Sequence, residues 1–169
     1  MKRTLQSITV IAGLLAATSV IANPPARPGA APVNAAAAKA PQQCINMGGM
    51  GNYNYAADGR SGVAAMAGAF EGAVSFRQVG DFKDAGNGRL EGQFEHMFVT
   101  ADGSTLRTRD LSWGYAVPNT DYIVGGGAYT VVEATGRFAG YSGTFHSWGT
   151  FAPKKGQAVL RYQGEICRA

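Results

Sequence analysis

The sequence predicts an all-β fold: a single antiparallel, up-and-down β-barrel of about eight strands, calycin-like in outline. Three observations predict it. After Ala22 no long stretch carries helical periodicity; β-branched, aromatic and glycine residues recur instead in short alternating runs. The segments between runs, DAGNG (Asp84 to Gly88), ADG (Ala101 to Gly103), PNTD (Pro118 to Asp121) and APKKG (Ala152 to Gly156), have the turn chemistry of hairpins. Glycines also fall inside the runs, Gly125 to Gly127 in one and Gly140, Gly143 and Gly149 around the next, as a closing barrel requires where its strands bend.

Residues 1–22 read as a signal peptide: Lys2 and Arg3 form the charged region, Ile8 to Ala17 the apolar region, and Val20-Ile21-Ala22 the cleavage site. The apolar run is shorter than the roughly 20 residues a spanning helix needs, so no stable membrane anchor is expected. Residues 23–43 carry Pro24, Pro25, Pro28, Pro32 and Pro41 among alanines and read as a disordered tether. Residues 44–169 form the barrel domain, large enough for a single hydrophobic core. Cys44 and Cys167 bracket it; in an exported chain, periplasmic or secreted, they are expected to form a disulfide joining the first and last strands.

The expected strands run Ala69 to Gln78, Arg89 to Thr100, Thr105 to Val117, Tyr122 to Glu133, Gly143 to Phe151 and Gln157 to Cys167, with one or two more between Cys44 and Ala57. Charge narrows the partners. Of the 15 basic residues, Lys2, Arg3, Arg27 and Lys39 precede Cys44, which leaves 11 facing 11 acidic ones. A neutral domain with no basic cluster argues against nucleic acid. The triple glycine lacks the Lys-Ser/Thr and the following helix of a phosphate loop, so nucleotide binding is not expected.

Alternation sorts side chains by face. In Arg89 to Thr100, Leu90, Phe94, His96 and Phe98 share one face, which puts His96 inside, either as a satisfied core histidine or as a general acid or base lining a cavity. In Thr105 to Val117 the face of Trp113 and Tyr115 is the expected interior, with Arg107 and Arg109 at a mouth or in solvent. In Tyr122 to Glu133, Ile123, Tyr129, Val131 and Glu133 form one set, although a bulge in the glycine run would flip the assignment across it. Glu133 stands either in water or at the barrel mouth, where aromatic walls would suit it to proton transfer. For Gly143 to Phe151 alternation does not choose between Phe145, Ser147 and Phe151 and the opposite set of Thr144, His146 and Trp148. No Ser-His-Asp order, HExxH or paired ligand cluster appears, so neither a metal nor another cofactor is expected.

The run TGRFAGYSGTF, Thr135 to Phe145, a Gly-Arg-Phe-Ala-Gly turn feeding a glycine and aromatic strand, resembles the repeated pattern of the allene oxide cyclase barrel-like superfamily, which includes the dirigent proteins. The resemblance covers about the last hundred residues and is strongest from Tyr129 to Ile166. It implies an eight-stranded barrel whose cavity takes a small hydrophobic or aromatic ligand. Isomerase or cyclase chemistry without a cofactor and a homo-oligomeric state are also implied. On the residues, the candidate catalytic groups are His96 and Glu133, and Phe94, Phe98, Trp113, Tyr115 and Tyr129 would line the ligand. The alternative is a carrier or cell-envelope interaction module with a side-chain-filled barrel.

Overall fold

Every second residue of the predicted runs turns toward one shared interior, and the hairpins between them bring the last strand back to the first. The computed structural model describes residues 42–168. Its strands are β1 (Gln43–Tyr55), β2 (Ser61–Gly68), β3 (Gly72–Asp84), β4 (Arg89–Thr100), β5 (Thr105–Ala116), β6 (Ile123–Ala134), β7 (Tyr141–Ala152) and β8 (Gln157–Arg168). Each pairs antiparallel with the next, and β1 pairs with β8 from Gln43–Arg168 to Asn54–Gln157, giving a closed barrel. Closure leaves no free sheet edge. The Cys44–Cys167 disulfide fastens that seam. The expected signal peptide and the tether as far as residue 41 lie outside the described residues; Gln43, expected as the tether's last residue, instead opens β1, paired with Arg168.

One strand was not expected. Between Cys44 and Ala57 there is β1 alone, and the eighth strand is β2, SGVAAMAG, whose alanines and glycines hide the strand pattern. It is held instead by ladders to β1 and β3, with Ala64 and Met66 turned inward. β3 begins at Gly72 rather than Ala69, because Ala69 to Glu71 form the turn that delivers Phe70 to the core. Two register irregularities matter to the site. β3 shifts against β4 between Val79 and Lys83, and β6 shifts against β5 so that Arg107 faces Glu133 while Thr108 faces Val131. The second leaves Val132 as the extra residue; the triple glycine itself pairs regularly with both neighbours.

The two ends of the barrel are filled differently. At the end holding the β2–β3, β4–β5 and β6–β7 turns, Phe70, Phe98, Phe145, Leu106 and Ile166 are almost wholly buried. Phe70 stacks on Phe98 at 4.5 Å and meets Phe145 and Phe138 at 5.6 Å each. Phe138 comes from the Gly-Arg-Phe turn, whose Gly136 takes φ 57° where a Cβ would strike Ser104. Arg137 lies over the Phe138 ring at 4.8 Å and donates to the Ala69 carbonyl. The motif is thus a stopper, drawn into the sealed end by its phenyl ring and tied down by its arginine.

Candidate functional site

Toward the opposite end the barrel opens, and the sequence explains why. One row of paired inward residues reads Leu90, Gly114, Gly125, Gly149; the adjacent row reads Gly92, Ser112, Gly127, Ser147. Three neighbouring strands therefore supply almost no side-chain volume at these levels. The result is an apolar cup of about 260 Å³, walled by Tyr55, Phe82, Leu90, Phe94, Ile123 and Phe151. Gln78 and Ser112 are the polar side chains in its lining. Phe82, roughly half exposed, arrives from the irregular part of β3 and lies where a Cβ on Gly92 would be. Arg60 pins that segment through Asp81 at 2.9 Å and the Gly80 carbonyl at 2.5 Å.

Below the cup, Tyr55, Phe94, Ser112 and Phe151 form a neck shared with a second chamber of about 20 Å³, room for roughly one water-sized group. Tyr53, Phe76, His96, Tyr129 and Leu160 complete it. His96 is buried there, its ring stacked between Phe76 at 5.7 Å and Phe98 at 5.8 Å, with Tyr129 at 5.0 Å. Its Nδ1 lies 2.5 Å from Asp110 Oδ2, and both side chains are closed to solvent. With Asp110 holding Nδ1–H, the ring tautomer is set and Nε2 is the nitrogen left for a ligand. Asp110 Oδ1 and Thr108 Oγ1 are buried and unpartnered.

The phenols complete the floor. Ser147 donates to the Tyr129 hydroxyl at 3.1 Å. Burial raises the Tyr129 pKa, as does the Asp110 carboxylate. Burial also raises Tyr53 well above the ordinary phenol value, reinforced by the neighbouring Tyr129, and lifts Tyr55 to about 12. All three stay protonated at neutral pH and are therefore available as hydrogen-bonding hydroxyls rather than as bases.

Of the residues expected from sequence, Phe94, Phe98, His96 and Tyr129 do point into the barrel together. Trp113 and Tyr115 do not: β5 turns Leu106, Thr108, Asp110 and Ser112 inward, so the aromatic face is the outer one. Trp113 reaches the cup only at its rim, its ring 6.0 Å from Tyr115 and 5.6 Å from the Arg89 guanidinium. Glu133 is also outside, because the extra residue Val132 reverses the alternation; it takes Arg107 at 2.7 Å in solvent. Arg109 is likewise exposed, beside Glu95. On β7, Phe145 and Ser147 face in and His146 and Trp148 face out. Asp110 and Ser112 were not expected in the site at all. Among the described residues the group with metal-ligand chemistry is Cys44, Glu165 and Cys167, whose two cysteines are already spent on the disulfide.

Among the described residues no helix is long and apolar enough to cross a membrane. No protein-family model, no curated protein and no solved structure matches the chain.

Proposed function

We propose that this protein is an exported barrel that binds a small hydrophobic or aromatic molecule in the cup, and that His96, oriented by Asp110, gives the site acid–base capacity for isomerisation or cyclisation without a cofactor. The observation that carries the reading is the asymmetry of filling: one end is closed by Phe70 and Phe138, while the other is an apolar cup ending on a buried imidazole–carboxylate pair. Concave apolar sites with a few convergent polar groups are where small ligands bind. An imidazole fixed at one nitrogen by a carboxylate and free at the other is suited to moving a proton. Holding a reactive molecule in one shape and excluding water would supply the rest. Membership of the allene oxide cyclase barrel-like superfamily is part of this proposal; it rests on the GRFAG turn and on the shared eight-stranded closed form.

Export rests on the sequence of residues 1–22 and on the disulfide, which fits an oxidising compartment. The test is native mass spectrometry of the full-length chain made in such a compartment, compared with the denatured spectrum. A retained apolar or aromatic molecule that is absent from a Gly114→Leu variant supports the cup as the site; retention undiminished in that variant overturns it. A second reading, a carrier without turnover, is favoured by the neck, which separates His96 from the cup by a ring of side chains. His96→Gln decides between them: unaltered ligand retention with lost turnover supports catalysis, whereas a ligand recovered chemically unchanged from both proteins supports the carrier.

A further inference from the structure

The inner chamber restricts what the polar end of a ligand can be. Its volume of about 20 Å³ gives room for roughly one water-sized group, which suits a single hydroxyl or carbonyl oxygen better than a bulkier carboxylate, sulfate or phosphate. Charge restricts it in the same direction. No Lys or Arg lines either chamber; of the cations of β3 to β5, Arg77, Arg107 and Arg109 lie on the outer face beside Glu95 and Glu133, Lys83 is exposed, and Arg89, over the Trp113 ring at the rim, is paired with Glu91 at 2.7 Å. Apart from the phenols, the ionisable groups at the floor are His96 and Asp110, and one oxygen of Asp110 is buried without any donor. An anion placed here would meet a carboxylate and aromatic walls without a counter-ion, in a setting of low dielectric.

The polar atoms that remain suit a neutral head. Inward positions of β5 run Thr108, Asp110, Ser112 from the floor to the neck, and of these Ser112 reaches the lining, which it shares with Tyr55, Phe94 and Phe151. Ser112 lines both chambers and both donates and accepts. His96 offers Nε2. Resting on the reading of the cup as a ligand site, we infer that it selects an apolar or aromatic molecule bearing one uncharged hydroxyl or carbonyl, seated in the inner chamber against Ser112 and His96, and that it rejects anionic lipids and aromatic acids.

The experiment is titration calorimetry on the full-length disulfide-bonded chain at neutral pH with two matched pairs of probes, naphthol against naphthoate and octanol against octanoate. In whichever pair binds, the alcohol is expected to hold about tenfold tighter or better than its carboxylate. Ser112→Ala should weaken the alcohol severalfold and leave the carboxylate where it was. Asp110→Asn should narrow the ratio, and near-UV circular dichroism of both variants reports that the barrel is intact. A carboxylate that binds as tightly as its alcohol overturns the inference while the cup stands. If neither member of either pair binds, the cup reading falls and the inference with it.

Discussion

His96 Nδ1 and Asp110 Oδ2 stand 2.5 Å apart across β4 and β5, with neither side chain open to water. The β4–β5 hairpin creates this neighbourhood: it sets Phe94 opposite Asp110 and His96 opposite Thr108, so the imidazole leans two positions along the ladder, to the next inward residue, to reach the carboxylate. Removing one partner of a buried pair strands the other. His96→Phe should therefore cost about 3 kcal/mol of stability, and His96→Phe combined with Asp110→Asn should cost less than the sum of the two single changes. Urea unfolding of the four proteins of this double-mutant cycle measures the coupling. Additive losses would show that the two groups do not depend on one another.

The two ends of the barrel should respond differently to truncation. Phe70 is completely buried and touches four aromatic rings, so Phe70→Ala should destabilise by about 3–5 kcal/mol. Phe82 at the cup rim is roughly half exposed, and Phe82→Ala should cost about 1 kcal/mol or less. Thermal melts of the pair check the contrast; equal losses would mean that the rim is as tightly filled as the stopper.

A methyl group at Gly92 would occupy the place of the Phe82 ring, the side-chain atoms of which lie 2.7 Å from the would-be Cβ. Because a half-exposed ring can swing away more cheaply than backbone can move, Gly92→Ala should leave the fold within about 1 kcal/mol of wild type while loosening the cup wall. Octanol affinity by calorimetry is expected to fall severalfold; an unchanged affinity would show that Phe82 is not part of the ligand wall.

The β4–β5 turn gives the chain an acid-sensitive element. The Thr100 hydroxyl, at 2.5 Å, followed by the Ser104 backbone N–H, holds the Asp102 carboxyl down at about 2 against an ordinary 3.8. A lowered carboxyl stabilises the folded state fully above its unfolded value and loses that contribution as pH falls through its folded one. Stability should thus decline as pH drops from about 4 to about 2, and Asp102→Asn should flatten that part of the curve. Asp58, Glu95 and Asp121, also lowered by hydrogen bonds, leave a residual slope in the variant. Denaturant midpoints across this range test it; identical slopes would dismiss the turn as the source.

Cutting the disulfide should weaken the barrel without opening it. Cys44 and Cys167 lie 123 residues apart, a loop whose closure is worth about 4–5 kcal/mol in the chain-entropy account. The Cys44→Ser, Cys167→Ser double variant should lose stability of that order, yet keep its far-UV spectrum, since β1 and β8 stay laddered along their whole length. Loss of the β spectrum would mean that the covalent seam, not the ladder, closes the sheet.

The fold was legible because turn chemistry is local: Asn, Asp, Pro and Gly at the hairpins mark strand ends whatever the rest of the molecule does. His96 was legible for a related reason, since β4 has no bulge and its alternation runs unbroken from Leu90 to Phe98. β5 misled because its largest aromatics, Trp113 and Tyr115, face outward while its interior is polar, which inverts the usual bet that large apolar side chains go inside. Asp110 was nonetheless within reach: it shares parity with Leu106 and Thr108, and the register of a hairpin turning at Ala101 to Gly103 sets it against Phe94. Glu133 was lost to a one-residue bulge at Val132, a choice made by tertiary closure that leaves no mark in the sequence around it. β2 escaped because strand formation there is imposed by its neighbours rather than by its own residues.

The stopper of Phe70 and Phe138 has a kinetic meaning. A vessel with one door serves its contents one at a time: on the proposed reading, a molecule in the cup would leave past Phe82 at the rim before the next one enters. Exchange would then be a matter of residence and turnover at a single threshold, and the barrel would act as a receptacle rather than a conduit.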